Sequence, residues 1–185
     1  MEGNETHIIV GLRERNPRMQ EKALELYGNA VWAQVTRLVT GVEDAEEVYQ
    51  DVFVKVFRNI DRYDEGRSSL STWISRIAYN ECITFLRRRR PAMVYFEDDE
   101  GKAETLSEAE VERTFGHPDA ETVQLVRAAI RHLAPDERAV ITLYYYDEKS
   151  LKEIAYVTDS LPTTVASRLS RTRKKLCKII KMLRS

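Results

Sequence analysis

The sequence predicts an all-α protein of two helical domains joined by an acidic linker, the C-terminal one a helix-turn-helix. Three observations predict it. Apolar residues recur at helical spacing, as in Leu24, Tyr27, Val31, Val35 and Leu38 and again in Leu70, Ile74, Ile77, Ala78, Phe85 and Leu86. Seven glycines and five prolines in 185 residues, beside abundant Leu, Val, Ala, Glu, Lys and Arg, favour helices over sheets. Charge is segregated: Thr163–Ser185 holds eight Lys or Arg and no acid, whereas Pro91–Thr122 holds ten Asp or Glu against two Lys or Arg. A net charge of −1 therefore hides a basic part able to bind phosphate.

Residues 1–18 are polar around Ile8–Val10 and Leu12, which reads as a short helix interrupted by Pro17. Gln20–Thr40 is amphipathic and ends at Gly41. Glu43 and Asp44 open the next helix, running to Ile60, with acids at the positive pole of its dipole. Val48, Val52, Val56 and Ile60 form one line on it, and Tyr49, Phe53 and Phe57 a second. Two apolar lines suit either a central bundle helix or a patch offered to another protein, and Asp51, Lys55 and Arg58 would supply a polar rim.

The next helix is entered through a loop with Gly66, its start marked by Ser71 as N-cap. Trp73, Arg76, Asn80 and Arg87 fall at i, i+3, i+7 and i+14, one face on which an aromatic, an amide and guanidinium groups can stack a base, read an edge and hold a phosphate. The run Arg87–Arg90 adds attraction for a polyanion. The plainer alternative is a core Trp73 and a solvated basic helix end.

Pro91 breaks that helix. The segment 91–119 reads as a linker with a transient helix at Ser107–Arg113, dividing the chain into domains 1–90 and 120–185. Val123, Val126, Ala129, Ile130 and Leu133 mark the first helix of the second unit, and Asp136-Glu137 starts another. Leu151, Ile154 and Ala155 give a short helix, Asp159–Pro162 a tight connection, and Thr163 begins a long basic helix anchored by Val165, Leu169, Leu176 and Ile179. This is a helix-turn-helix pattern, with Ala155 at the close crossing and Val165 closing the wedge. Thr164, Ser167, Arg168 and Arg171 occupy the end that enters a major groove, and Arg173, Lys174, Lys175 and Lys178 suit phosphates. The alternative is an ordinary α-hairpin with a solvated basic face.

No paired carboxylates, nucleophile–base set, phosphate-binding glycine loop or metal cluster argues for catalysis, so no catalytic, cofactor or metal residues are expected. Cys82 and Cys177 lie far apart and read as reduced, packed residues. With no apolar run long enough to cross a membrane and no signal peptide, a cytoplasmic protein without membrane insertion is expected.

Four segments carry a resemblance: EDAEEVYQDVFVKVFRNI from Glu43, DRYDEGRSSLSTWISRIAYNECITFLRRRR, LAPDERAVITLYYYDEKSLKEIA and TVASRLSRTRKKL. Together they resemble a bacterial sigma factor of the extracytoplasmic-function (ECF) class. The resemblance implies a transcription initiation subunit that binds core RNA polymerase, recognises −10 and −35 promoter elements and assists melting. It implies polymerase contacts at Gln50, Asp51, Phe53, Lys55 and Phe57. It places −10 reading at Arg62, Tyr63, Ser69, Thr72, Trp73, Arg76, Asn80 and Arg87, with Asn80 a wall of the pocket for an unstacked base. It places −35 reading at Thr163, Thr164, Ser167, Arg168, Arg171, Arg173 and Lys174. The linker would thread the polymerase's nucleic-acid channel, and an anti-sigma protein would be the silencing partner. One departure stands out: members usually carry a glycine in the helix-turn-helix turn, where this chain has Asp159-Ser160-Leu161-Pro162.

Overall fold

The computed structural model describes residues 2–89 and 120–184. The acidic segment, its expected short helix, and Arg90 lie outside them. The described residues form eight α-helices and no strand: α1 Glu2–Arg13, α2 Pro17–Leu38, α3 Val42–Asn59, α4 Leu70–Arg88, α5 Ala120–Arg131, α6 Pro135–Ile141, α7 Leu151–Thr158 and α8 Pro162–Arg184. A 3₁₀ turn at Ile60–Arg62 closes α3, and a π-helical turn at Thr142–Tyr146 extends α6.

Pro17 begins α2 rather than merely ending what precedes it. Asn16 caps that helix by accepting from Arg18 N at 3.0 Å, and Pro17, lacking an N–H, takes the first position. Gly28 makes room where α2 meets α3: a Cβ there would stand 2.8 Å from the Tyr49 hydroxyl, and that ring would have to shift. Gly41 turns the chain into α3 at φ +111°, a conformation closed to most side chains. The start of α4 differs from expectation: Ser69, not Ser71, is the N-cap, its Oγ accepting from Thr72 N at 3.2 Å. Leu70, fully buried, fixes that start by anchoring the first helical residue in the core.

α4 packs against α2 and α3 on one side and against α7 on the other. Val35, Leu38, Val52, Val56, Ile60, Ile74, Ala78 and Cys82 are buried on the first side, and Ile154, Val157, Val165 and Leu176 in the C-terminal helices. One contiguous core joins the two halves. Inside it Gln34 and Ser75 satisfy each other: Ser75 Oγ donates to Gln34 Oε1 at 2.8 Å, and Gln34 Nε2 donates to the Ser75 carbonyl at 3.1 Å.

The helix-turn-helix is built as its pattern predicts. Ser150 and Glu153 cap α7 reciprocally: Ser150 Oγ accepts from Glu153 N at 3.3 Å, and Glu153 accepts from Ser150 N at 2.9 Å. Asp159 takes the left-handed turn conformation (φ 52°, ψ 49°) where glycine would be at ease. Ala155 and Val165 are buried at the crossing.

Ile74→Ala, at a fully buried position of α4, is expected to cost about 2–5 kcal/mol. Urea unfolding followed by far-UV circular dichroism measures it.

Candidate nucleic-acid interface

The surface of α4 is divided among several neighbours. Thr72, Arg76 and Tyr79, at i, i+4 and i+7, face the C-terminal helices. Thr72 Oγ1 donates to Glu153 at 2.9 Å, Arg76 Nη1 donates to the Tyr156 carbonyl at 2.8 Å, and the Tyr79 hydroxyl donates to Asp136 at 3.3 Å. Ser75 faces α2. Trp73, Arg76, Ile77, Asn80 and Glu81 line a surface cleft of about 230 Å³, with Lys55, Asn59 and Arg62 from α3 and the following turn opposite. Arg76 stands on the boundary between the cleft and the α7 contact.

The structure therefore brings Arg62, Trp73, Arg76 and Asn80 to one cleft but not in equal states. Trp73 is only 8% exposed, its ring 5.5 Å from that of Tyr63. Arg62 and Asn80 are exposed, as is Arg87 at the far end of α4. Tyr63 is a prop rather than a surface group: it is buried, its hydroxyl donates to the Ser68 carbonyl at 3.0 Å, and burial pushes its pKa up to about 12. Ser69 is spent on capping, and Thr72 is buried under Glu153.

In α8, Thr163, Thr164, Ser167 and Arg171 are exposed, with Arg168, Arg173 and Lys174 half-buried. Lys175, read from sequence as a phosphate contact, is a structural residue instead. It is 7% exposed, and its ammonium donates to both oxygens of Glu137, at 2.8 and 3.0 Å. Its place beside the buried Leu176, on the inner face of α8, explains the difference.

The polymerase-contact residues also separate. On α3, Gln50, Asp51 and Lys55 are exposed and Phe57 is half-buried, while Phe53 is 3% exposed. Phe53 sits in a row of rings, 5.1 Å from Tyr49 and 5.8 Å from Phe57, with Trp32 beyond Tyr49. Lys55 pairs with Glu81 at 2.6 Å.

Sequence periodicity missed the residues that join the halves. Arg138 is buried and donates to the carbonyls of Leu38, Arg131 and Leu133. Arg37 pairs with Asp147 at 3.2 Å and lies 4.4 Å above the Tyr146 ring. Burial raises the Asp147 pKa against the opposing pull of Arg37 and Lys149. For Glu153 burial alone would do the same, but hydrogen bonds from Ser150 and Thr72 outweigh it and hold the carboxyl below its ordinary 4.5. Only the Ser150–Glu153 spacing was a visible signal, and it marked a helix start, not a contact to Thr72.

The fold is of the helix-turn-helix class: a helical bundle bearing an aromatic-and-amide cleft, joined to a basic helix-turn-helix. The Sigma-70 region 2 family matches residues 23–92 and the Sigma-70 region 4 family residues 124–176. The chain is 32% identical over 174 residues to the ECF RNA polymerase sigma-E factor of Escherichia coli K12, covering 88% of this chain and 89% of that one. It is 28% identical over 165 residues to the ECF RNA polymerase sigma factor SigW of Bacillus subtilis, covering 86% and 88%. Its fold is that of CnrH, solved in complex with the cytosolic domain of CnrY (TM-score 0.68, 21% identity, 96% of this chain and 97% of that one). It is also that of the sigma factor RpoE of Bartonella quintana, solved with the anti-sigma factor NepR (TM-score 0.62, 24% identity, 87% and 96%). The chain belongs to the ECF RNA polymerase sigma factors: it is a non-enzymatic transcription initiation factor.

Because the folded pKa of Glu153 is depressed, its stabilising contribution is present above pH 4.5 and lost as pH falls through the lowered value. The raised pKa of Asp147 acts oppositely, its contribution fading as pH rises through the folded value. Glu153→Gln is therefore expected to lower stability near neutral pH and to flatten the acid limb of a urea-midpoint titration.

Proposed function

We propose that residues 1–90 form the core-polymerase and −10 domain, 91–119 the linker and 120–185 the −35 domain of a cytoplasmic initiation factor. Among the described residues no helix is long and apolar enough to cross a membrane. The polymerase face is the outer side of α3, where Gln50, Asp51, Lys55 and Phe57 border the aromatic row and Phe53 backs it from inside. Aromatic surface with a polar rim is what a protein interface needs.

The observation that carries the promoter reading is the convergence of Arg62, Trp73, Arg76 and Asn80 on one cleft. A cleft of about 230 Å³ is smaller than the roughly 300–1,000 Å³ of small-molecule sites, but it suits a single planar ring. Asn80 offers a donor and an acceptor to a base edge, Trp73 an aromatic wall, and Arg62 and Arg76 charge for the flanking phosphates. Capturing a base that has left the stack stabilises melted DNA against re-pairing. The −35 element is read in duplex form by the exposed start of α8: Thr163, Thr164, Ser167, Arg168 and Arg171 toward bases, Arg173 and Lys174 toward phosphates. An anti-sigma protein is the silencing partner. It covers the polymerase and DNA faces.

Run-off transcription with purified core polymerase on a genomic promoter pool tests this directly, and absence of promoter-dependent product would overturn it. Asn80→Ala is expected to lower initiation on fully paired templates by about 1–3 kcal/mol in apparent binding, with recovery on a pre-melted bubble template. Arg171→Ala is expected to weaken promoter binding by the reconstituted holoenzyme. If the residue serves only a phosphate, the salt-dependence slope falls by about 1 with no change in sequence preference.

A further inference from the structure

A second, larger cleft of about 680 Å³ lies where the end of α2 and the start of α3 meet α5, α6 and the π-helical turn. Arg37, Arg127, Arg131 and Arg138 line it, and among the described residues no Asp or Glu does. Neither the promoter reading nor the polymerase reading uses any of the four. Arg127 and Arg131, at i and i+4, share one face of α5, and both are exposed. Arg138 is a buried strut: it donates to the Leu38 carbonyl at 3.2 Å and to the Arg131 carbonyl at 2.9 Å. The end of α2 is thereby tied to the end of α5, which fixes two walls of the cleft and keeps a cation in it. Arg37 is partly neutralised by Asp147 at 3.2 Å and lies 4.4 Å above the Tyr146 ring. α3 begins here as well: Gly41 and Val42 line the cleft, and no side chain caps the helix. The positive pole of its dipole adds to the field, offset in part by Glu43 and Asp44 in its first turn.

Like charges gathered on a concave wall repel one another, and a bound anion relieves that repulsion. Separate guanidinium groups are best matched by a ligand with more than one negative group. The volume lies within the roughly 300–1,000 Å³ of small-molecule sites. Tyr146, with Arg37 stacked on it and Val42 and Ile130 nearby, supplies an apolar shelf for a planar ring. We propose that this cleft binds a nucleoside polyphosphate. Arg127, Arg131 and the Thr40 hydroxyl take the phosphates, and the base lies on the Tyr146 side. Arg37 and Thr40 come from the N-terminal half and Arg127 and Arg131 from the C-terminal half, so the ligand bridges the two and stabilises their joined form.

The test is isothermal titration calorimetry of the full-length chain with ATP, inorganic triphosphate and adenosine. ATP is expected to bind more tightly than inorganic triphosphate, and adenosine far more weakly than either. Arg127→Ala/Arg131→Ala is expected to weaken ATP binding about tenfold or more. Arg18→Ala/Lys22→Ala, which removes the same charge from the start of α2, is expected to leave it nearly unchanged. ATP should raise the thermal midpoint of the parent, and the rise should vanish in the Arg127/Arg131 variant. Both side chains are exposed and Arg138 bonds the Arg131 backbone, so that variant keeps its fold, which far-UV circular dichroism checks. Absence of ATP binding overturns the proposal, as does an equal loss in both double variants or binding indifferent to Arg127 and Arg131. Equal affinity for inorganic triphosphate overturns the place given to the base. A short oligothymidylate that displaces ATP at lower concentration, and itself loses affinity in the Arg127/Arg131 variant, would make the cleft a strand site and overturn the assignment to a free nucleotide.

Discussion

The structure depends on helix α4 being shared. Its 19 residues must fill the core against α2 and α3, shape one wall of the cleft and receive the C-terminal helices, all at once. A helix has only 3.6 residues per turn, so three neighbours claim most of its first turns. Thr72, Trp73, Ile74 and Ser75 show the limit: four consecutive residues, each buried, facing Glu153, Tyr63, the core and Gln34 in turn. Arg76 then falls where cleft and C-terminal contact meet, lining the first while its guanidinium bonds the Tyr156 carbonyl and Asp159.

That sharing separates what was legible in the sequence from what was not. The helices, the helix-turn-helix and its buried Ala155 and Val165 follow from periodicity, because each depends on residues within a few turns. The cap at Ser69 rather than Ser71 was missed because three serines compete in that loop, and the choice rests on where Leu70 reaches the core. Lys175 and Arg138 look like surface cations in the sequence. Their burial is decided by Glu137 and by the carbonyls of Leu38, Arg131 and Leu133, of which Glu137 and Leu38 lie far outside the local pattern. Of the residues that spacing put on one face of α4, Trp73, Arg76 and Asn80 line one cleft, and Arg87 lies at the far end of the helix. Periodicity cannot say which neighbour covers that face, so Thr72 and Arg76 were read as open.

The contacts joining the halves are of mixed strength. The buried residues of both halves give a shared apolar core, whereas the rim is polar: Arg37 with Asp147, Arg76 with Asp159, Thr72 with Glu153 and Tyr79 with Asp136. Exposed ion pairs contribute roughly 0–1 kcal/mol each, so the rim sets geometry and register more than affinity. Glu153 and Asp147 illustrate the two electrostatic outcomes at such a boundary. Glu153 is supplied with enough donors to stay ionised at little cost, while burial outweighs the single guanidinium and the ammonium near Asp147.

An acid at the helix-turn-helix turn bears on the turn itself and on the helix that follows. A left-handed aspartate costs more than glycine there, of order 1 kcal/mol, and the pairing with Arg76 offsets part of that. The same carboxylate lies just before the first turn of α8, which carries the exposed Thr163 and Thr164. On the proposed −35 reading, a negative charge so close to phosphates would weaken non-specific attraction, leaving Arg168 and Arg171 to supply it. Discrimination between promoters would then rest on base contacts rather than on charge alone.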